Sequence, residues 1–339
     1  MSGQDAYRGL GWKYGSLAVQ RHGAMLAPLT FLLANGKQAS PMHVAPWADE
    51  LEAASLPGIL QKLRGDWPCV PFGYAVDDTT APPDWARFNG PAEAGEEIHG
   101  HSSNHPWSWT KAAEGSLALS LDYPEGHPVR RVHRTITPDP NAPAVDLTFT
   151  VEIAADCRLP LGLHSTFRLP LIDEGARIEP GPFDHGRTYP GTVETTAPLF
   201  AIDRTFSSLA AVPLREGGTH DAGRVPLPVD TEELLQLNGI DSVALANHAE
   251  GYRVRLKWNG EHFPSLLLWM SNRGRKAFPW NGRHVALGME PICSPFGVGP
   301  ASARADNPIA KSGTPTARDF RAGEVFTTHY RIEAEPLEE

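Results

Sequence analysis

The stretch AVDLTFTVEIAA, residues 144–155, decides the fold. Val145, Leu147, Phe149, Val151 and Ile153 alternate with Asp146, Thr148, Thr150 and Glu152. Side chains of a strand point to opposite faces in turn, so a period of two predicts a strand with one buried face and one wet face. The pattern recurs just upstream. SLALSLDY (116–123) alternates, turns at Pro124-Glu125-Gly126, and is followed by VRRVHRTITP (129–138), which alternates again. Strand, turn and strand read as an antiparallel hairpin.

Further strands follow in both directions. Residues 10–32 predict strands broken at Gly15 and at His22-Gly23. Downstream come LGLHSTFRLPLI (161–172), RIEPG (177–181), SVALANH (242–248), YRVRLKWN (252–259), SLLLWMSN (265–272), HVALGMEP (284–291) and EVFTTHYRIEAE (324–335), nearly all separated by turn residues. The best helical stretch is 47–64, and Pro57, which has no N–H to give, splits it. Strands with hardly any helix between them predict an all-β fold, a large antiparallel sandwich or barrel rather than a parallel α/β sheet. The 32 glycines and 32 prolines suit its many turns. No linker and no internal repeat divides the chain, so residues 1–339 are expected to form a single domain. Residues 66–107, rich in Pro, Gly, Asp and His, are expected to be irregular and to carry binding loops, and 300–319 to be a surface loop.

The charge balance narrows the partners. Thirty basic and 40 acidic side chains leave a net charge of −10, which argues against nucleic acid. Cys69, Cys157 and Cys293 are too few and too scattered for a disulfide framework, so free thiols in a reducing compartment are expected. The first residues carry no apolar signal segment, and no window approaches the roughly 18 apolar residues of a membrane span. A cytoplasmic monomer or homodimer with no membrane partner is the expectation.

No dinucleotide fingerprint, P-loop, nucleophile elbow or H-E-x-x-H is present. Four features carry chemistry. The first is His99-Gly100-His101-Ser102-Ser103-Asn104-His105-Pro106-Trp107. In an extended segment His99, His101 and His105 share a face, which suits a metal, a hydrogen-bonded substrate or a structural loop alike. The second is His164, in an apolar strand. It is either a core histidine or, facing a cleft, a general acid near neutral pH. The third is Glu290, late in an apolar strand and followed by Pro291 and Pro295. A carboxylate buried there needs a partner or a job. The fourth is a set of tryptophans beside turns or strand ends, among them Trp67, Trp107, Trp109, Trp258, Trp269 and Trp280. An indole either fills the core or stacks on the C–H face of a sugar.

In this order, His99-Gly100 with Trp107 after it, His164–Phe167 before Leu169-Pro170, and Glu290-Pro291 make the chain resemble the aldose 1-epimerase (galactose mutarotase-like) family. The stretch Arg21 to Leu29 looks like that family's early strand pair, and Leu63 to Gly73 stands where its first substrate-side loop does, so the resemblance covers about residues 15–335. It implies an antiparallel β-supersandwich with a sugar cleft and no cofactor or metal. It implies a carbohydrate 1-epimerase that opens and recloses the ring of a small-molecule sugar, with Glu290 as base, His164 as acid and His99 on the substrate. The family's Asn-Arg pair is not reproduced, and Arg64 or Asp66 stands in for it. Asp230 and Asp241 compete for its sugar-binding aspartate. With the aromatic candidates, the substrate-facing set is His99, Arg64, Asp66, Trp107, Phe72, Asp241 and Trp269.

Three alternatives accompany this reading. One is a non-catalytic sugar-binding protein on the same scaffold. Another is a cupin-like metalloenzyme using His99, His101 and His105. The third is a related lyase or sulfo-sugar mutarotase in which Arg64, Arg168 or Arg273 meets an anionic group.

Overall fold

The computed structural model describes residues 6–75, 81–85, 92, 95–193 and 198–338. The chain is built on two large antiparallel sheets. The 144–155 stretch forms the strand Ala144–Ile153 at the middle of a nine-stranded sheet. Its neighbours there are Val129–Pro138 and Val325–Pro336. Val145, Leu147, Phe149, Val151 and Ile153 all enter the main hydrophobic core, as the alternation requires.

The second sheet has eleven strands. Through its centre run Leu26–Leu32, Asp66–Cys69, Leu161–Arg168, Val285–Cys293, Ser265–Asn272 and Thr231–Asn238, side by side in that order. Alternate residues of these strands face the first sheet. Leu161, Leu163, Phe167, Leu266, Leu268, Met270, Leu287 and Met289 all belong to the core between the sheets. The intervening residues pack into a second apolar cluster on the opposite face, with Trp67, Leu267, Trp269 and Ile292 in it. Both faces are therefore buried, which is why these strands read as continuous apolar runs.

Several expectations change. The helix expected over 47–64 is two short 3₁₀ turns, Leu51–Ser55 and Gly58–Gln61, separated where Pro57 denies a backbone donor. The 300–319 stretch holds two short helices, Gly299–Arg304 and Pro308–Lys311, and the strand Arg318–Phe320, which pairs with Cys157–Leu159. The region from residue 66 begins with a strand of the large sheet, Asp66–Cys69, before it becomes irregular. Part of it, 76–80, 86–91 and 93–94, lies outside the described residues. Thr231–Asn238 is a strand that the sequence pattern did not single out. All three cysteines are free. Among the described residues no helix is long and apolar enough to cross a membrane.

Candidate active site

Register brings the two central side chains together. The pairing that sets Gly162 opposite Ile292 and Thr166 opposite Gly288 puts His164 directly opposite Glu290 on adjacent strands. Both face away from the other sheet, and Glu290 Oε1 lies 3.5 Å from His164 Nε2. The structure sets the two groups side by side on one wall. They line a cleft of about 280 Å³ together with His99, Trp269, Arg275, Trp280 and an aliphatic rim that includes Ile59, Leu60, Leu63 and Leu267. That volume is at the small end for ligand sites. A larger groove of about 460 Å³, lined by Lys13, Tyr14, Arg253 and Glu333 among others, contains none of these buried groups.

Glu290 is 1% exposed, and no hydrogen bond to its carboxyl is found among the described residues. Burial pushes its pKa well above the usual carboxylate value. His164 is also buried. Its Nδ1 pairs with the Thr166 hydroxyl at 3.2 Å, which holds the ring with Nε2 toward Glu290. Burial, and then the proximity of His99, push the His164 pKa well below the usual histidine value. Both members of the pair thus favour their uncharged forms.

His99 enters from the loop. Gly100, after it, has φ 77°, and a Cβ there would sit 2.2 Å from the Val70 carbonyl oxygen, so the loop passes this point only with glycine. The His99 ring meets His164 edge-on, with centroids 5.0 Å apart. Its Nδ1 accepts the Gly73 N–H at 3.3 Å, so in the neutral ring Nε2 carries the proton as a donor. Burial and the positive Arg275 lower its pKa to about 4.

The remaining sequence candidates divide. Trp269 lines the cleft and donates Nε1–H to Glu232 at 3.0 Å. Phe72 lies behind His99, centroids 4.7 Å apart, and supports that ring from the core. Asp66 does not reach the cleft. It neighbours Trp67 on a strand, so when the indole packs against His164 on the outer face of the sheet the carboxylate faces the interior. There it pairs with Arg134 and accepts from Tyr330 and Ser165, tying the two sheets together. Arg64 is held by Asp49 at 2.9 Å outside the cleft lining. Trp107 is a core residue, its Nε1–H donated to the Ser102 carbonyl. Asp241 lies in a separate open groove beside Trp258 and Asn259, while Asp230 is paired with Arg273 and Lys276. Arg168 forms a two-pronged pair with Glu250. The three histidines do not share a face: His99 joins the cleft, whereas a helical turn at His101–Asn104 sends His101 and His105 to Glu97, which with His101 lines another groove.

The residues missed are Arg275 and the polar chain behind it. Arg275 stacks over Trp280, its guanidinium carbon 4.4 Å from the ring centroid, and lies 3.8 Å from Glu232. Glu232 accepts from Ser271 at 2.6 Å, and the Ser271 hydroxyl meets His284 Nδ1 at 2.7 Å. The turn-rich NRGRKAFPWNG (272–282) was the only local signal for Arg275; nothing in the sequence marks Glu232 as buried against Trp269.

No model of a protein family matches the chain, and none of the curated proteins does. Solved structures do. The aldose epimerase homologue from C. elegans shares 16% identity and a TM-score of 0.63 over 98% of this chain and 99% of its own. The galactose mutarotase related enzyme from Lactobacillus acidophilus shares 13% and 0.59 over 98% and 99%. The Slr1438 protein from Synechocystis shares 14% and 0.64 over 97% and 96%. The two sheets therefore compose the galactose mutarotase-like β-sandwich, the fold that the sequence resemblance implied.

Proposed function

We propose that the protein interconverts the anomers of a small sugar by opening and reclosing its ring, with Glu290 and His164 as the acid–base pair. The carrying observation is their 3.5 Å approach across adjacent strands, at the wall of a small, mostly apolar cleft. Anomer exchange needs one group to take the proton of the C1 hydroxyl and one to protonate the ring oxygen. Those two oxygens are bonded to the same carbon, so an acid and a base standing side by side match them. Burial makes the resting pair a carboxylic acid and a neutral imidazole, which holds the single proton that the reaction needs. From that state Glu290 protonates one oxygen while His164 takes the proton of the other. Ring closure on the opposite face exchanges the roles, with Glu290 as base and His164 as acid. His99 Nε2–H donates to a ring hydroxyl, and Trp269 with the aliphatic rim receives the C–H surface.

The test is anomer exchange of freshly dissolved aldoses, followed by NMR over a panel of sugars. Acceleration over the spontaneous rate that disappears in Glu290→Gln combined with His164→Asn supports the reading. Sugar binding without acceleration makes the protein a sugar-binding module on this scaffold instead.

A further inference from the structure

We propose that Glu97, His101 and His105 bind one divalent transition-metal ion of the zinc class, in a groove separate from the cleft. Glu97 Oε2 lies 3.1 Å from His101 Nδ1 and Glu97 Oε1 lies 2.9 Å from His105 Nε2. The two imidazole rings stand 3.9 Å apart, tilted by 31°, and the three donor atoms all fall within 4.8 Å of one another. Zinc–nitrogen and zinc–oxygen bonds of about 2.0–2.2 Å at tetrahedral angles put donor atoms about 3.4 Å apart. Small rotations of these three side chains reach that spacing.

The donor set is selective. Two imidazoles and a carboxylate suit zinc, cobalt, nickel or copper, whereas magnesium and calcium take oxygen. Three protein ligands leave a fourth coordination position open to water or another ligand, and two of them, Glu97 and His101, line a groove of about 470 Å³. The side chains stay accessible: His105 is 41% exposed and Glu97 36%. His99 lies between Glu97 and His101 in sequence and lines the cleft, so the ion would fix the loop that carries His99 and take no part in proton transfer.

Titration of metal-free protein with zinc chloride, followed by calorimetry, tests this, with magnesium chloride as the comparison salt. One equivalent of zinc is expected to bind and magnesium is not. Glu97→Gln, His101→Gln and His105→Gln should each weaken zinc by about tenfold or more, the scale seen even for outer-shell losses. His133→Gln should not, although His133 pairs with Glu152 at 2.6 Å. Circular dichroism reports whether each variant folds; should His101→Gln misfold, the more exposed His105→Gln decides. No zinc uptake by the native chain, or equal affinity in His105→Gln, overturns the site.

Discussion

The Trp67 indole lies flat against the His164 imidazole, with ring centroids 4.0 Å apart and planes within 17°. The two residues pair across adjacent strands, so the contact is fixed by register. Trp67 is fully buried and closes one face of the imidazole, while the His99 edge and the Glu290 carboxyl approach from elsewhere. An imidazole buried in this way has little water to stabilise a positive charge, which is why burial is the first cause of its lowered pKa.

On the proposed function, the pH dependence of anomer exchange follows from the pair. As pH falls, His164 gains a proton and the site loses its base; because that pKa is depressed, the acid limb lies below the ordinary histidine value of 6.5. As pH rises, Glu290 loses the last shared proton; because that pKa is raised, the alkaline limb lies well above 4.5. A bell is expected, with apparent values that belong to the pair. Glu290→Gln should cost about 10²–10⁴ in rate and abolish the alkaline limb. Polarimetric initial rates across the range check both, and an alkaline limb that persists in Glu290→Gln contradicts the assignment.

Gly288 is required for room beside the carboxyl. A Cβ there would lie 2.3 Å from Glu290 Oε1 and 3.0 Å from Trp269 Cβ. The closer clash is with the tip of a side chain that can rotate, so Gly288→Ala should fold, losing about 1–3 kcal/mol of stability. The carboxyl must swing off His164, and a displacement of about 1 Å costs on the order of 10² in rate. The expected result is a folded protein whose turnover falls while sugar binding is kept. Unchanged turnover would show that the carboxyl has another productive position.

Asp66 and Arg134 form an ion pair with both side chains fully buried, joined by Tyr330. Asp66→Ala leaves the guanidinium without its carboxylate, and breaking such a pair typically costs about 3–5 kcal/mol. The urea midpoint should fall accordingly. A variant as stable as the native chain but unable to bind sugar would return Asp66 to the substrate-facing set.

Legibility in the sequence tracks the environment of each face. Ala144–Ile153 has one wet face, so its alternation is plain. The strands of the site sheet are buried on both faces, and their apolar runs do not say which of two neighbours faces the cleft. Asp66 and Trp67 show the consequence: both are chemically suited to a sugar, and only the register decides that the indole faces outward. Thr231–Asn238 was missed for the same reason, since Glu232 and Glu233 are both buried, one bonded to Trp269 and the other to Thr231 and Leu199. Glu290 and His164 were legible as a polar residue each in an apolar strand. Their adjacency was not, because it arises from pairing between segments far apart in the chain.

Acid sensitivity should reside in the buried histidines. His43 and His284 meet edge to face with centroids 4.6 Å apart, and burial, then the charge of Arg168, lowers the His43 pKa to about 4. The unfolded chain binds a proton near pH 6.5, whereas the folded chain refuses it until about pH 4, so stability is full above 6.5 and is lost as pH falls between these values. The loss from this one residue is on the order of 3 kcal/mol by pH 4. His43→Phe keeps an aromatic ring against His284 and removes the titration. Its urea midpoint should therefore fall less than that of the native chain between pH 7 and pH 5, where the native loss from His43 is about 2 kcal/mol. Equal acid sensitivity in the two proteins would show that His43 is protonated in the fold, with a positive charge accommodated beside His284.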